Sequence, residues 1–554
     1  MEDKVSFDLE LFDFIHDDLP QFNPRICEGF VGEAMESDLE YLDSVARCAD
    51  EGFPPEFRYM GIRRLSPLET VKETLMKSDS GKREFDIAES DLYLAEMLFK
   101  YTDPKTKQET LIPKPIFLPF AGEAGNLMLS GTTNTIASVL GDPVFTVTDR
   151  DVFVIFARAK FTMETQQYQL LQDGETVNSY VVKVTAHNAR PKTKASEVRH
   201  LPKTISTTGH YLFCKYGVTD VFRRFYGLDV IVCDVNDVRE MYQGEQWTVL
   251  SSKYACGIGR PVHSPKKYGM PTQLNLVFRT DQLTMKNTDF HTAAAHFFYV
   301  VDHFPLYFNA QNIDHPDSWK VVMGYTIHRS NESEGKLLNK IDNHLDSLDR
   351  YVDVKARRDL RNIGIDVRDI YEFFIHMNDT IQQRMNNADP GNMWGKYLMV
   401  NRYVYSSITD AIFNLGWSLN RERHPISLQK IKLLLGKKIN ILSFPMGRRS
   451  HGEITSVQFP GDCYLFKYTC NIIRQTNAVI QKGKKKKVIN VNDVSYHLHP
   501  SVVECGSYCN FPKPSPDGRT KLNPFAWIDD DGMFIRNPKY VNLLNMMKDE
   551  ISTF

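Results

Sequence analysis

Between residues 331 and 436 apolar positions return every three or four residues. Leu337, Ile341, Leu345, Leu348 and Val352 form one such series, and Val367, Ile370, Phe374, Met377 and Ile381 form a second. This is the period of helices that bury one stripe. Asn331 with Glu334 three residues later has the form of a capping box. A third helix is expected from about 392 to 415, with Gly416 as its stop, and a fourth after Pro425, capped by Ser427 and ending at Gly436. Together these predict a small helical bundle.

Elsewhere the period shortens. From Thr110 to about Thr185 short strands alternate with turn signals. Thr102-Asp103-Pro104-Lys105 reads as a turn. Residues 144–156 read as strand, turn (Thr148 to Asp151) and strand, and 178–184 continue the β character. Residues 187–203, with Arg190, Lys192, Lys194, Arg199 and Lys203, read as a basic surface loop. Leu228 to Cys233 has the continuous apolar character of a strand covered on both faces. The runs 274–278 and 297–301 suit either class. After Gly436 the β pattern returns at 438–444 and 462–480, with Lys482-Gly483-Lys484 as a hairpin tip. A Pro- and Gly-rich tail and a short helix near 541–548 follow, whereas the first hundred residues read as mainly helical and irregular.

The expected fold class is α+β and multi-domain, since 554 residues exceed one ordinary core. The expected division is an acidic, mainly helical region over 1–108, a β-rich mixed domain over 109–330, the helical bundle over 331–436 and a basic, β-rich region over 437–554. No internal repeat is visible, which sets aside solenoids and propellers.

Charge changes this picture most. The net charge of −2 conceals an asymmetry. Residues 2–50 hold fourteen acidic against three basic side chains, and residues 421–490 hold fifteen basic against three acidic ones. A polyanion such as nucleic acid binds a surface of the second kind by phosphate neutralisation and counterion release. The positions expected to carry that contact are Arg421, Arg423, Lys437, Lys438, Arg448, Arg449, Lys467, Arg474, Lys482, Lys484, Lys485, Lys486 and Lys487, on a helix-plus-hairpin surface. Tyr464, Phe466 and Tyr468 share one strand face, and a core role suits them better than base stacking. The acidic start could instead cover the basic face or dock a basic partner.

Candidate chemistry is sparser. His497 and His499 with Cys505 and Cys509 offer zinc-ligand types without a CxxC knuckle, so no cofactor is expected beyond a zinc option there. Asp234 and Asp237 follow an apolar run, where carboxylates can hold a catalytic metal, but they also spell a turn. His291, His296, Asp302 and His303 cluster in sequence only. The chain contains no phosphate loop, dinucleotide fingerprint, nucleophile elbow, HExxH or EF-hand loop. No catalytic residue is assigned.

Nine scattered cysteines, an acidic start without signal-peptide character and no 18-residue apolar run predict a reduced, cytoplasmic protein without a membrane span. Three functions fit these observations. The leading one is a non-catalytic nucleic-acid-binding protein of replication, transcription or genome handling. The second is a structural or assembly subunit, for example viral, whose acidic and basic surfaces dock partners or copies of itself. The third is a metal-dependent enzyme with an unfamiliar site.

Overall fold

The computed structural model describes residues 34–78, 90–120, 126–129, 131–136, 138–142, 144–156, 159–186, 206–252, 274–283, 290–304, 307–328, 333–389, 391–422, 424–439, 454–456, 469–472, 499–501, 518–521, 527–529, 532–539 and 541–542. It is α+β and forms two compact units, 1–143 with 390–554, and 144–389.

In the first unit, helix α1 (Asp38–Asp50) packs against strand β1 (Phe57–Arg64). Helix α2 (Pro67–Ser78) follows, and β2 (Leu92–Thr102) and β3 (Glu109–Pro119) complete an antiparallel sheet of order β1-β2-β3. Among its described residues the expected mainly helical region 1–108 thus holds both helix and strand. Met97, Phe99 and Tyr101 alternate along β2 and are buried, and Phe57 stacks on Phe99 at 5.2 Å. The turn after β2 is the expected one: Asp103 accepts from the amides of Lys105 and Thr106 at 2.8 and 3.1 Å. Short strands β4 (Asn126–Leu129), β5 (Thr132–Ile136) and β6 (Val139–Gly141) close this part of the chain.

The second unit is a seven-stranded sheet covered by helices. Its strands are β7 (Phe145–Val147), β8 (Asp151–Ile155), β9 (Lys160–Gln172), β10 (Glu175–Ala186), β11 (Val230–Asp234), β12 (Trp247–Ser252) and β13 (Leu274–Arg279), in the order β11-β13-β12-β9-β8-β7 with β10 beside β9. The β7–β8 hairpin is the expected one. β9 and β10 turn on Asp173 and Gly174, both at positive φ, a two-residue hairpin loop that suits an Asp-Gly pair. β11 ends the sheet, and Ile231 is 37% exposed, so this strand is not covered on both faces.

Helices α3 (Thr208–Tyr216) and α4 (Val235–Met241) accompany these strands, with a π-helical turn at Phe222–Tyr226 between them. Then come α5 (Phe290–His303), α6 (Pro316–His328), α7 (Glu334–Leu348), α8 (Val354–Asn362) and α9 (Ile370–Asn386). α5, which includes the ambiguous run 297–301, lies against β9, β10 and β12. α7 buries Leu337, Ile341, Leu345 and Leu348, and α9 buries Ile370, Phe374, Met377 and Ile381; Val352 and Val367 of the expected series are buried too but fall outside these helices. The residue before α7 is Ser333; Asn331 lies outside the described residues.

The chain then returns to the first unit through β14 (Tyr397–Met399), α10 (Ser406–Asn420) and α11 (Leu428–Lys438). The helix expected over 392–415 is therefore a strand, a one-turn helix (Asn401–Val404) and a longer helix displaced toward the C-terminus. Gly416 is inside α10 rather than its stop. A Cβ there would meet the Phe53 ring at 3.1 Å, so the missing side chain admits that ring. Short strands β15 (Ile454–Ser456), β16 (Thr469–Ile472), β17 (Gly518–Lys521), β18 (Trp527–Ile528) and β19 (Phe534–Ile535) follow, and β16 pairs in parallel with β6. The basic loop at 187–203, the hairpin tip at 482–484 and most of the tail helix lie outside the described residues. No described helix is long and apolar enough to cross a membrane.

Candidate nucleic-acid interface

The longest described part of the basic region 421–490 is α11, which packs against α10 just before that region. α10 turns Ile408, Ile412, Leu415 and Leu419 inward, and α11 turns Ile431, Leu434 and Leu435 inward. The helices pack against each other, and their shared burial leaves the opposite faces in solvent. The segment joining them is tied to the sheet. Glu56 accepts from the Ile426 amide at 3.0 Å and lies 3.2 Å from His424 Nδ1, and Tyr101 donates to the Ile426 carbonyl at 3.1 Å. Burial would raise the Glu56 carboxyl, but these donors hold it below its ordinary value. Ser427 caps α11 as expected, accepting from the Lys430 amide at 3.4 Å.

The solvent faces carry the candidate contacts. Trp417 is 64% exposed, and the Arg421 guanidinium sits 4.7 Å from its ring centroid, within cation–π range. On α11, Lys432 and Lys437 are exposed, and so is Leu433 at 63%. Lys430 pairs with Glu422 at 3.2 Å. Lys437 and Lys438 occupy the last turn of α11, where positive charge also complements the helix dipole. Of the expected basic positions, the structure thus places Arg421, Lys437 and Lys438 on one helix pair. Arg423, Arg448, Arg449, Lys467, Arg474, Lys482 and Lys484 to Lys487 lie outside the described residues, as do Tyr464, Phe466 and Tyr468.

The end of the acidic segment contributes to the core of this unit. α1 packs against α10. Its Asp38 is buried and accepts from Tyr93, and Tyr405 Oη lies 3.3 Å from the same carboxylate. Burial raises the Asp38 carboxyl above its ordinary value, against the pull of those hydroxyls. Residues 1–33 lie outside the described residues.

The other candidates are engaged locally. Asp234 and Asp237 form the capping box of α4: Asp234 accepts from the Asn236 amide at 3.1 Å, and Asp237 accepts from the Asp234 amide at 3.3 Å. The four residues of α5 reach different neighbours. His296 Nε2 accepts from the Val182 amide at 2.8 Å, and its Nδ1 donates to the Thr292 carbonyl at 2.7 Å. Burial pulls this imidazole down to about 4. Asp302 accepts from Tyr168 and Ser252, and burial pushes it up to about 7. His291 Nε2 lies 2.8 Å from Gln172 Oε1, and His303 Nδ1 lies 2.6 Å from the Tyr299 carbonyl.

Of the zinc candidates, His499 Nδ1 accepts from the Ser501 amide at 3.1 Å and lies 2.6 Å from the Ser501 hydroxyl. His497, Cys505 and Cys509 lie outside the described residues. Among the described residues no three acidic, histidine or cysteine side chains gather as a metal site. An open groove of about 870 Å³ beside α4 is lined by Arg239, Tyr242, Trp247, Ser251 and Asn275 among others.

Charge and geometry alone leave nucleic acid and protein partners both standing. Comparison with known families narrows the choice: the model of the family described as non-virion RNA polymerase subunit matches residues 17–547. The chain belongs to that family. No curated protein matches it. Membership in a family of polymerase subunits accords with a viral protein that works in a complex, the second of the sequence expectations, more closely than with a free-standing nucleic-acid-binding protein.

Trp417 was not among the residues expected from sequence. The signal for it was present. It is out of phase with the buried series Ile408, Ile412, Leu415 and Leu419, and it stands four residues before Arg421, the spacing at which helical side chains meet.

Proposed function

We propose that this chain is a non-catalytic component of a viral RNA polymerase that helps hold the polymerase's nucleic acid through its basic segment 421–490. The observation that carries the subunit reading is the family match across 17–547. The nucleic-acid part is supported by the concentration of fifteen basic side chains in that segment. Such a surface neutralises phosphates irrespective of base sequence, the contact a polymerase needs as the template moves past it.

The test is reconstitution of the polymerase with and without the chain, followed by template binding across a salt series. Omitting the chain should abolish or sharply weaken transcription. Replacing Lys484 to Lys487 together by Gln should weaken template binding and flatten its salt dependence, each lost phosphate contact reducing the slope by about 0.9. Unchanged transcription without the chain would defeat the subunit reading. An unchanged salt slope in the lysine variant would defeat the nucleic-acid part alone. That second result favours a subunit that only assembles.

A further inference from the structure

We infer that the solvent face of α10 and α11, centred on Trp417, Arg421 and Leu433, docks another protein subunit of the polymerase, whose complementary surface is an apolar pocket with an acidic rim. This rests on the subunit reading above and leaves the phosphate contacts to the basic positions from Arg448 to Lys487.

The face is built unlike an ordinary solvated one. Trp417 and Leu433, 64% and 63% exposed, stand on two helices that pack against each other. Neither is needed for the core, which α10 and α11 complete with their opposite stripes. A tryptophan ring offers a large apolar area with few rotatable bonds, so covering it is favourable and fixing it costs little entropy. Arg421 is already held over that ring at 4.7 Å, which orders the guanidinium before a partner arrives. Trp and Arg are the residue types that most often dominate protein interfaces.

The charge of the face selects the partner. Arg421, Lys432 and Lys437 are exposed there, and the nearby acid Glu422 is paired with Lys430. Asp410, two turns earlier on α10, is the acidic exception. An acidic rim complements this surface. Leu433 decides between protein and nucleic acid: an aliphatic side chain offers neither a ring face to a base nor a donor to a phosphate, but it fills an apolar pocket.

The experiment measures association of the full-length chain with the polymerase assembled from its remaining subunits. Trp417→Ala should weaken association by about 30-fold or more, the loss seen at dominant interface residues. Leu433→Ser and Arg421→Glu should weaken it less. Leu68→Ser, at a leucine 80% exposed on α2, should not change it. Thermal unfolding of each variant should match the wild type.

If Trp417→Ala and Leu433→Ser associate as strongly as wild type, the inference falls and the subunit reading stands. If the wild-type chain itself fails to associate, the subunit reading falls and takes the inference with it. If Trp417→Ala assembles normally but loses affinity for a single-stranded oligonucleotide, the face belongs to nucleic acid and the inference falls. If wild type alone self-associates on dilution sizing and Trp417→Ala does not, the face joins two copies, which also overturns it.

Discussion

Trp319 and Trp417 are the same side chain in opposite settings. Trp319, on α6, is fully buried. Its indole donates to the Ile313 carbonyl at 2.7 Å, and its ring lies 4.6 Å from Phe308 and 4.7 Å from Phe213. Trp417, on α10, is mostly exposed and has an arginine over one face. The contrast extends to the surrounding helices. In the same unit as Trp319, His296 and Asp302 on α5, two of the titratable groups that cluster in sequence, are spent on internal bonds. α10 and α11 have unremarkable sequences, yet they leave a tryptophan, a leucine and several cations in solvent. Residue type alone therefore misleads about function, and the burial of each group decides.

The largest effect separating the two settings should come from truncating the rings. Trp319→Ala removes a packed ring and should cost about 3–5 kcal/mol, read from the urea midpoint. Trp417→Ala should change the same midpoint by less than about 0.5 kcal/mol. Equal losses would break the comparison.

The next effect is on pH dependence. Asp302, pushed up to about 7, has a folded value above its ordinary one. Its contribution to stability is therefore complete below the ordinary carboxyl value and is lost as pH rises through about 7. His210 and His296 are pulled down to about 4 by burial. Their contribution is complete above the ordinary histidine value and is lost as pH falls through about 4. Stability should then decline on both sides of a mildly acidic maximum. Asp302→Asn should raise stability at pH 8 relative to pH 5 by about 3 kcal/mol compared with wild type, measured by chemical unfolding at both pH values. An unaltered profile in that variant would remove Asp302 from the account.

The smallest pair concerns two glycines. A Cβ on Gly209 of α3 would lie 2.3 Å from the His296 Cβ, whereas one on Gly436 of α11 would meet nothing within 4 Å. Gly209→Ala should destabilise by about 1–3 kcal/mol through overpacking. Gly436→Ala should stabilise by about 0.5–1 kcal/mol through helix propensity. Thermal unfolding of the two variants gives both signs in one assay.

Several elements were legible in the sequence for physical reasons. α7, α9 and α11 were readable because each buries one stripe, so burial and period coincide. The Ser427 cap and the Asp103 turn were readable because their bonds are local. β1 and β2 stand in a region whose sequence reads as mainly helical and irregular, although Met97, Phe99 and Tyr101 alternate along β2. The Asp173-Gly174 hairpin also had a local signal. The return of the chain to its first unit after residue 390 depends on contacts such as Tyr101 to Ile426, which no local pattern encodes. At the candidate interface, charge marked Arg421, Lys437 and Lys438. Trp417 was overlooked because an aromatic in a helix is usually core, and only its phase against the buried stripe shows that it faces outward.

The central claim, that this chain works as part of an RNA polymerase, is tested most directly by co-expressing it with the remaining subunits of its polymerase and sizing the purified assembly. The account predicts that the chain elutes with the polymerase in fixed stoichiometry and stays there at physiological salt. A chain that elutes alone at every concentration, beside a polymerase that transcribes without it, would contradict the account.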